Sequence, residues 1–134
     1  MGEVWKVFLM ATFKRFEDIQ AWQKARILVK QIYVGSANGK FAFDFDLKRQ
    51  IRRSTISIAA NIAEGQGRRT DKDFANFLNM ALSSVAETKS HPYLALDLEY
   101  IDQTFFEDSN AKLDEVGRMT FSLSEHVRKV QRAS

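Results

Sequence analysis

The chain contains no cysteine among its 134 residues. This excludes a disulfide framework, a thiolate zinc site and a cysteine nucleophile, and it suits a reducing cytoplasm, the expected location. Proline occurs once and glycine six times, too few for a barrel or sandwich with many tight turns. There are two histidines, His91 and His126, far apart in sequence. Long apolar runs are missing too. Val7 to Ala11 is apolar but far short of the roughly 20 residues that cross a bilayer. Glu3 precedes it and no small-residue cleavage site follows, so a signal peptide fits poorly.

What is present is ordinary globular material. Apolar residues make up 45% and the net charge is +3, enough core for one domain without metals. A mild positive excess permits an anionic partner without requiring one. The domain is expected over residues 16–134, with 1–15 as an N-terminal extension. Met10 looks like a natural start, so residues 1–9 are either a mis-called start, a loose extension or a short arm packed on the domain.

Apolar spacing predicts four helices. The first runs from about Asp18 to Val34, with Trp22, Ala25, Val29 and Ile32 on one face. Asp18 is its expected N-cap and Gly35 its stop. Phe41-Ala-Phe43-Asp-Phe45 alternates but is short and feeds into the second helix, about Asp44 to Ala63. Leu47, Ile51, Ile58 and Ile62 stripe that helix. Roughly opposite, its first half carries Arg49 and Arg53 with Lys48 and Arg52 beside them, and its second half Ile56, Ala59, Ala60 and Ala63. A helix apolar on two sides must be covered on two sides, so those four residues are candidates for a contact within or between chains.

Gly65-Gln-Gly67 is read as the next helix stop. Thr70 with Asp73 resembles a capping box opening a helix from about Asp71 to Tyr100. Its face is Phe77, Ala81, Ser84, Thr88, Ala95 and Leu98, widened by Phe74, Leu78 and Val85. Pro92 lies inside this helix, where it removes a backbone bond and favours a kink. Thr104-Phe-Phe-Glu107 is a second capping box, and Phe106, Leu113, Val116, Leu123, Val127 and Val130 repeat at threes and fours behind it. Short connections make sequential helices antiparallel. The expected fold is therefore all-α, an up-down-up-down four-helix bundle.

Enzyme signatures fail one after another. Glu87 and His91 stand one turn apart, but the paired Glu-x-x-His motifs of di-iron bundles are missing. No serine sits in a Gly-x-Ser-x-Gly elbow. Gly65-Gln-Gly67 lacks the strand and the Lys-Ser/Thr ending of a phosphate loop. No catalytic residue, metal ligand, cofactor or small-molecule substrate is assigned, and the protein is not expected to be an enzyme.

The strongest functional signal is basic. Lys48, Arg49, Arg52 and Arg53 fall within two turns, and Arg68, Arg69 and Lys72 follow just past the helix end. Arginine pairs with phosphate bidentately, and neutralising several phosphates holds RNA or DNA without reading sequence. The competing explanation is a solvated face, or internal ion pairs to Glu64 and Glu87. Arg128, Lys129 and Arg132 form a second group, where they also complement a helix C-terminus. No aromatic interleaves with the basic residues of the second helix, which argues against base stacking with single strands.

Phe16-Glu-Asp-Ile-Gln-Ala-Trp-Gln-Lys-Ala25 and Gln50-Ile-Arg-Arg-Ser-Thr-Ile-Ser-Ile-Ala-Ala-Asn-Ile-Ala-Glu-Gly65 are similar to the opening and central motifs of the four-helix bundle protein family, also called the ribosomal RNA intervening-sequence protein family. Gly67-Arg68, Asp73-Phe74, Phe77-Leu78 and Glu87 continue the pattern, so the resemblance runs from about Phe16 to the end. It implies a cytosolic homopentamer without known enzymatic activity. A related branch, the accessory protein of diversity-generating retroelements, is a basic pentamer that binds nucleic acid and a reverse transcriptase. By position the matching residues are Gln50, Arg52, Arg53, Asn61, Glu64, Gly65 and Arg68, with structural roles open for Arg53, Asn61 and Glu64. Ala59 stands where the family usually has proline, the loop before the second helix lacks the usual Phe-Pro, Pro92 is atypical, and a glycine is common near Glu99. The first expectation is a non-catalytic pentameric scaffold holding RNA or a ribonucleoprotein through Lys48, Arg49, Arg52, Arg53, Arg68, Arg69 and Lys72. The alternative is a protein–protein adaptor whose basic face meets an acidic protein.

Overall fold

A computed structural model describes residues 14–133; the expectations about residues 1–9, and most of the extension 1–15, lie outside them. The described residues form four α-helices and no strand: α1 (Gln20–Ser36), α2 (Phe45–Gln66), α3 (Asp71–Asp97) and α4 (Gln103–Ala133). Short 3-10 turns cover Phe16–Asp18 and Gly39–Phe43. None of these helices is long and apolar enough to cross a membrane.

Each helix packs on two others: α1 on α2 and α4, α2 on α3, and α3 on α4. Their inward faces enclose one apolar core in which Leu28, Ile58, Leu78 and Leu113 are completely buried. Each such side chain stabilises the fold by roughly 1.5–3 kcal/mol relative to exposure. The core face of α1 is Ala21, Ala25, Leu28 and Ile32. It is rotated slightly from the expected stripe, because Trp22 turns out to pack edge-on against Phe16 at 4.9 Å.

Several helix ends differ from expectation. Asp18 belongs to the preceding 3-10 turn, and Ile19, buried to 1%, takes the N-cap position of α1 without a side-chain bond. Gly35 lies inside α1, not after it: a β-carbon there would stand 2.3 Å from Phe105 Cζ. Gly65 is likewise a buried residue of α2, where a β-carbon would meet Phe77 Cβ at 2.7 Å. Both glycines allow a close approach of side chains to helix backbone. The stop of α2 is Gly67 alone.

The capping box before α3 holds, with Thr70 accepting from the Asp73 backbone N–H at 3.1 Å. The one before α4 does not. Asp102 Oδ1 accepts from Phe105 N at 2.8 Å, so the cap lies two residues before Thr104. Helix α3 runs unbroken through Pro92, which is buried, and ends three residues earlier than expected. Glu99 adopts φ 61°, and two bonds, Tyr100 N to Ala95 O and Glu99 N to Leu96 O, close the end. This is a Schellman stop, which normally recruits glycine at that position. Leu98 consequently leaves the helical face and is 51% exposed.

Polar pairs fix the seams. Between α2 and α3, Ser57 meets Ser84 at 2.9 Å, Ser54 meets Thr88 at 2.8 Å, and Arg53 meets Glu87 at 2.8 Å. Between α3 and α4, Val85 faces Gly117 and Lys89 pairs with Asp114. Between α1 and α4, Gln31 bonds Asp108, and Lys24 lies 3.3 Å from Glu115.

Candidate nucleic-acid interface

The basic residues of α2 form a groove with the end of α1. Phe45, Lys48, Arg49, Arg52, Arg53 and Ile56 recur at threes and fours and share one side of the helix. The chain turns back through Asn38 and Gly39, whose φ of 56° suits glycine, so Tyr33 of α1 comes to line the same groove. The lining holds four cations and no carboxylate.

Three of the four cations are held by the protein. Arg52 Nε donates to Ser36 Oγ at 2.8 Å, its Nη2 donates to the Tyr33 carbonyl at 3.2 Å, and its guanidinium lies 4.3 Å from the Tyr33 ring centre. It thereby gives a carbonyl in the last turn of α1, which also accepts from Ser36 Oγ at 3.4 Å, a charged donor, and adds positive charge where the helix dipole favours it. Lys48 Nζ donates to the Ala42 carbonyl at 3.0 Å and stands 5.0 Å from the Phe45 ring centre. Arg53 donates to Gln50 Oε1 and Glu87 Oε2, both at 2.8 Å. Arg49 is exposed and has no hydrogen-bond or ion-pair partner among the described residues. A held cation keeps its charge and its remaining N–H donors, so the groove is positive and largely pre-ordered.

The other three expected cations are elsewhere. Arg68 lies fifteen residues beyond Arg53, roughly 22 Å along a helix rising 1.5 Å per residue. It donates to Glu64 at 2.7 Å and lies 4.6 Å from the Phe77 ring centre. Arg69 and Lys72 are exposed and without partners among the described residues. The structure therefore divides the basic set in two. The internal pairs to Glu64 and Glu87 exist, but only for Arg68 and Arg53. Asn61 bonds the Ser57 carbonyl at 2.9 Å, within its own helix.

Of the possible contact face, Ile56 is 42% exposed, Ala60 is exposed, and Ala59 and Ala63 are half-buried. Glu87 Oε2 lies 3.5 Å from His91 Nε2. Among the described residues no cluster of three or more potential ligands forms around them.

The absence of aromatics from the basic face needs correcting. Tyr33 and Phe45, 39% and 60% exposed, stand among the cations. Tyr33 was hidden because it belongs to a different helix. Its position off the core stripe of α1, next to a short hairpin connection, was the available signal. The 3-10 turn explains the alternating phenylalanines: Phe41 is buried and stacks on Tyr100 at 5.3 Å, while Phe43 and Phe45 remain outside.

Asp44 caps α2 by accepting from Leu47 N at 3.0 Å, and it also accepts from the Tyr100 hydroxyl at 2.9 Å. The backbone bond, then the Tyr100 bond, hold its carboxyl below the usual range, and the same contact raises the Tyr100 hydroxyl.

A family model described as 23S rRNA-intervening sequence protein matches residues 17–122, starting at the opening motif and stopping short of the C-terminus. A solved structure from Bacteroides thetaiotaomicron, described as a protein with unknown function from the S23 ribosomal protein family, is 30% identical. It covers 78% of this chain and 97% of its own length, with a TM-score of 0.72. No curated protein matches the chain.

Proposed function

The chain belongs to the 23S rRNA-intervening sequence protein family, and on that premise we propose that it is a non-catalytic oligomeric scaffold that holds RNA or a ribonucleoprotein through the groove between α1 and α2. The observation that carries this reading is the lining of four cations without a carboxylate, with Arg49 unpartnered among the described residues. Phosphates supply the matching charge, and their neutralisation releases counterions. Arg69 and Lys72 extend the contact at the far end of α2.

The helices run up-down-up-down as a bundle. Support comes from the seams, where Arg53, Ser54 and Ser57 meet Glu87, Thr88 and Ser84 in reverse order. The scaffold is a cytoplasmic homopentamer that covers Ile56, Ala59, Ala60 and Ala63. Its support is the incomplete burial of these small apolar residues on a helix whose other side is already in the core.

The test is binding to a structured RNA across a salt series, for the wild type and for Lys48→Gln with Arg49→Gln. Affinity should fall steeply with salt, and the double variant should lower the log–log slope by about two. Absence of binding at low salt overturns the RNA reading and turns attention to an acidic protein partner. A monomeric mass in light scattering at micromolar concentration overturns the pentamer.

A further inference from the structure

Two aromatic rings stand in the basic groove where the fold does not need them. Phe45 is 60% exposed at the first position of α2, and Tyr33 is 39% exposed. The Tyr33 hydroxyl makes no hydrogen bond among the described residues. Neither ring belongs to the buried core. Each is matched with a cation: Arg52 with Tyr33, Lys48 with Phe45.

We infer that this groove holds an unpaired segment of RNA, with bases laid on Tyr33 and Phe45 and the adjoining phosphates on Arg49 and the neighbouring cations. The inference deepens the RNA reading and rests on it. A paired A-form helix keeps its base faces inside the stack and offers proteins phosphates, hydroxyls and shape. Such a duplex gives exposed rings nothing to stack on. A single strand presents a π-face at every base, and grooves that hold single strands combine positive charge with aromatic platforms.

The ordering cost is also low. Arg52 is tied to Ser36 and to the Tyr33 carbonyl, so it backs one side of the Tyr33 ring with a fixed guanidinium. A base arriving on the ring finds a surface already placed, and little rotamer freedom remains to be lost. Arg49, which has no internal partner among the described residues, can turn toward a phosphate without breaking a bond.

The experiment measures binding of labelled oligoadenylate, and of a fully paired RNA duplex of equal length, by fluorescence anisotropy at one low salt concentration. The proteins are the wild type, Tyr33→Leu, Phe45→Leu and Arg49→Gln. Oligoadenylate should bind more tightly than the duplex. Each leucine substitution should weaken oligoadenylate by about tenfold and leave the duplex unchanged, while Arg49→Gln should weaken both. Equal or tighter duplex binding, or leucine variants that hold oligoadenylate as the wild type does, overturns the inference while phosphate contact stands. Failure of both probes to bind at low salt overturns the RNA reading as well. If Tyr33→Leu changes the light-scattering mass, Phe45→Leu decides alone, because Phe45 lies outside the core.

Discussion

The ring of Phe105 lies directly on the backbone of α1 at Gly35, leaving 2.3 Å between its Cζ and the place a β-carbon would occupy. This contact joins the start of α4 to the end of α1, and Gly35 is required by it rather than by any turn. Gly35→Ala should destabilise the protein by about 1–3 kcal/mol, the usual cost of overpacking. Phe105→Leu in the same chain should recover part of the loss. A denaturation cycle over the two single variants and the double variant measures the coupling.

Glu99 occupies the left-handed region with φ 61°, a conformation that costs a non-glycine residue about 1 kcal/mol. Glu99→Gly should therefore stabilise the protein by a similar amount. Thermal unfolding should show a rise in Tm of roughly 2–8 °C. Glu99→Val should lower Tm, since a branched β-carbon suits the position least.

Arg49 and Arg52 are neighbours on one groove with opposite structural burdens. Arg52 bonds Ser36 and the Tyr33 carbonyl, so Arg52→Gln should cost about 1 kcal/mol in urea unfolding. Arg49→Gln should leave the unfolding midpoint unchanged, because no described residue depends on that side chain. A stability loss confined to Arg52 would separate the two roles.

Asp44 is held below its usual carboxylate range by Leu47 N and the Tyr100 hydroxyl. A depressed folded-state pKa contributes stability above the unfolded pKa of about 4, and this is lost as pH falls through the folded value. Asp44→Asn keeps a capping oxygen but cannot titrate. The stability gap between wild type and Asp44→Asn should narrow as the pH is lowered below about 4, followed by thermal melts across that range.

Ala60 is exposed on the chain taken alone, so Ala60→Glu should leave helix content intact. If the small-residue side of α2 is the contact between copies, light scattering should show the assembled mass falling toward that of a monomer. An unchanged mass would assign the interface elsewhere.

The sequence made the four helices legible because apolar residues recur at helical spacing through each of them, and the central motif carried the family. Thr70 was legible as a cap for a local reason: its partner Asp73 is three residues away. Gly35 and Gly65 were read as stops because their partners, Phe105 and Phe77, come from other helices and no local pattern reveals them. Asp18 and Thr104 lost their expected places to Ile19 and Asp102, since a cap is chosen by the path of the chain entering the helix. The basic site was half legible. Seven cations close in sequence were separated by the rise of α2, and Tyr33 entered from a helix that the charge pattern did not include.

The hydroxyls of Ser54, Ser57, Ser84 and Thr88 form a column along the α2–α3 seam, with Ser54 and Thr88 fully inside the core. Moving one helix past the other by a single turn, about 5.4 Å, would re-form at most one of these two pairs, at a cost of about 1 kcal/mol for the hydrogen bond lost. The column thus works as a keyed joint, and α2 and α3 must shift together.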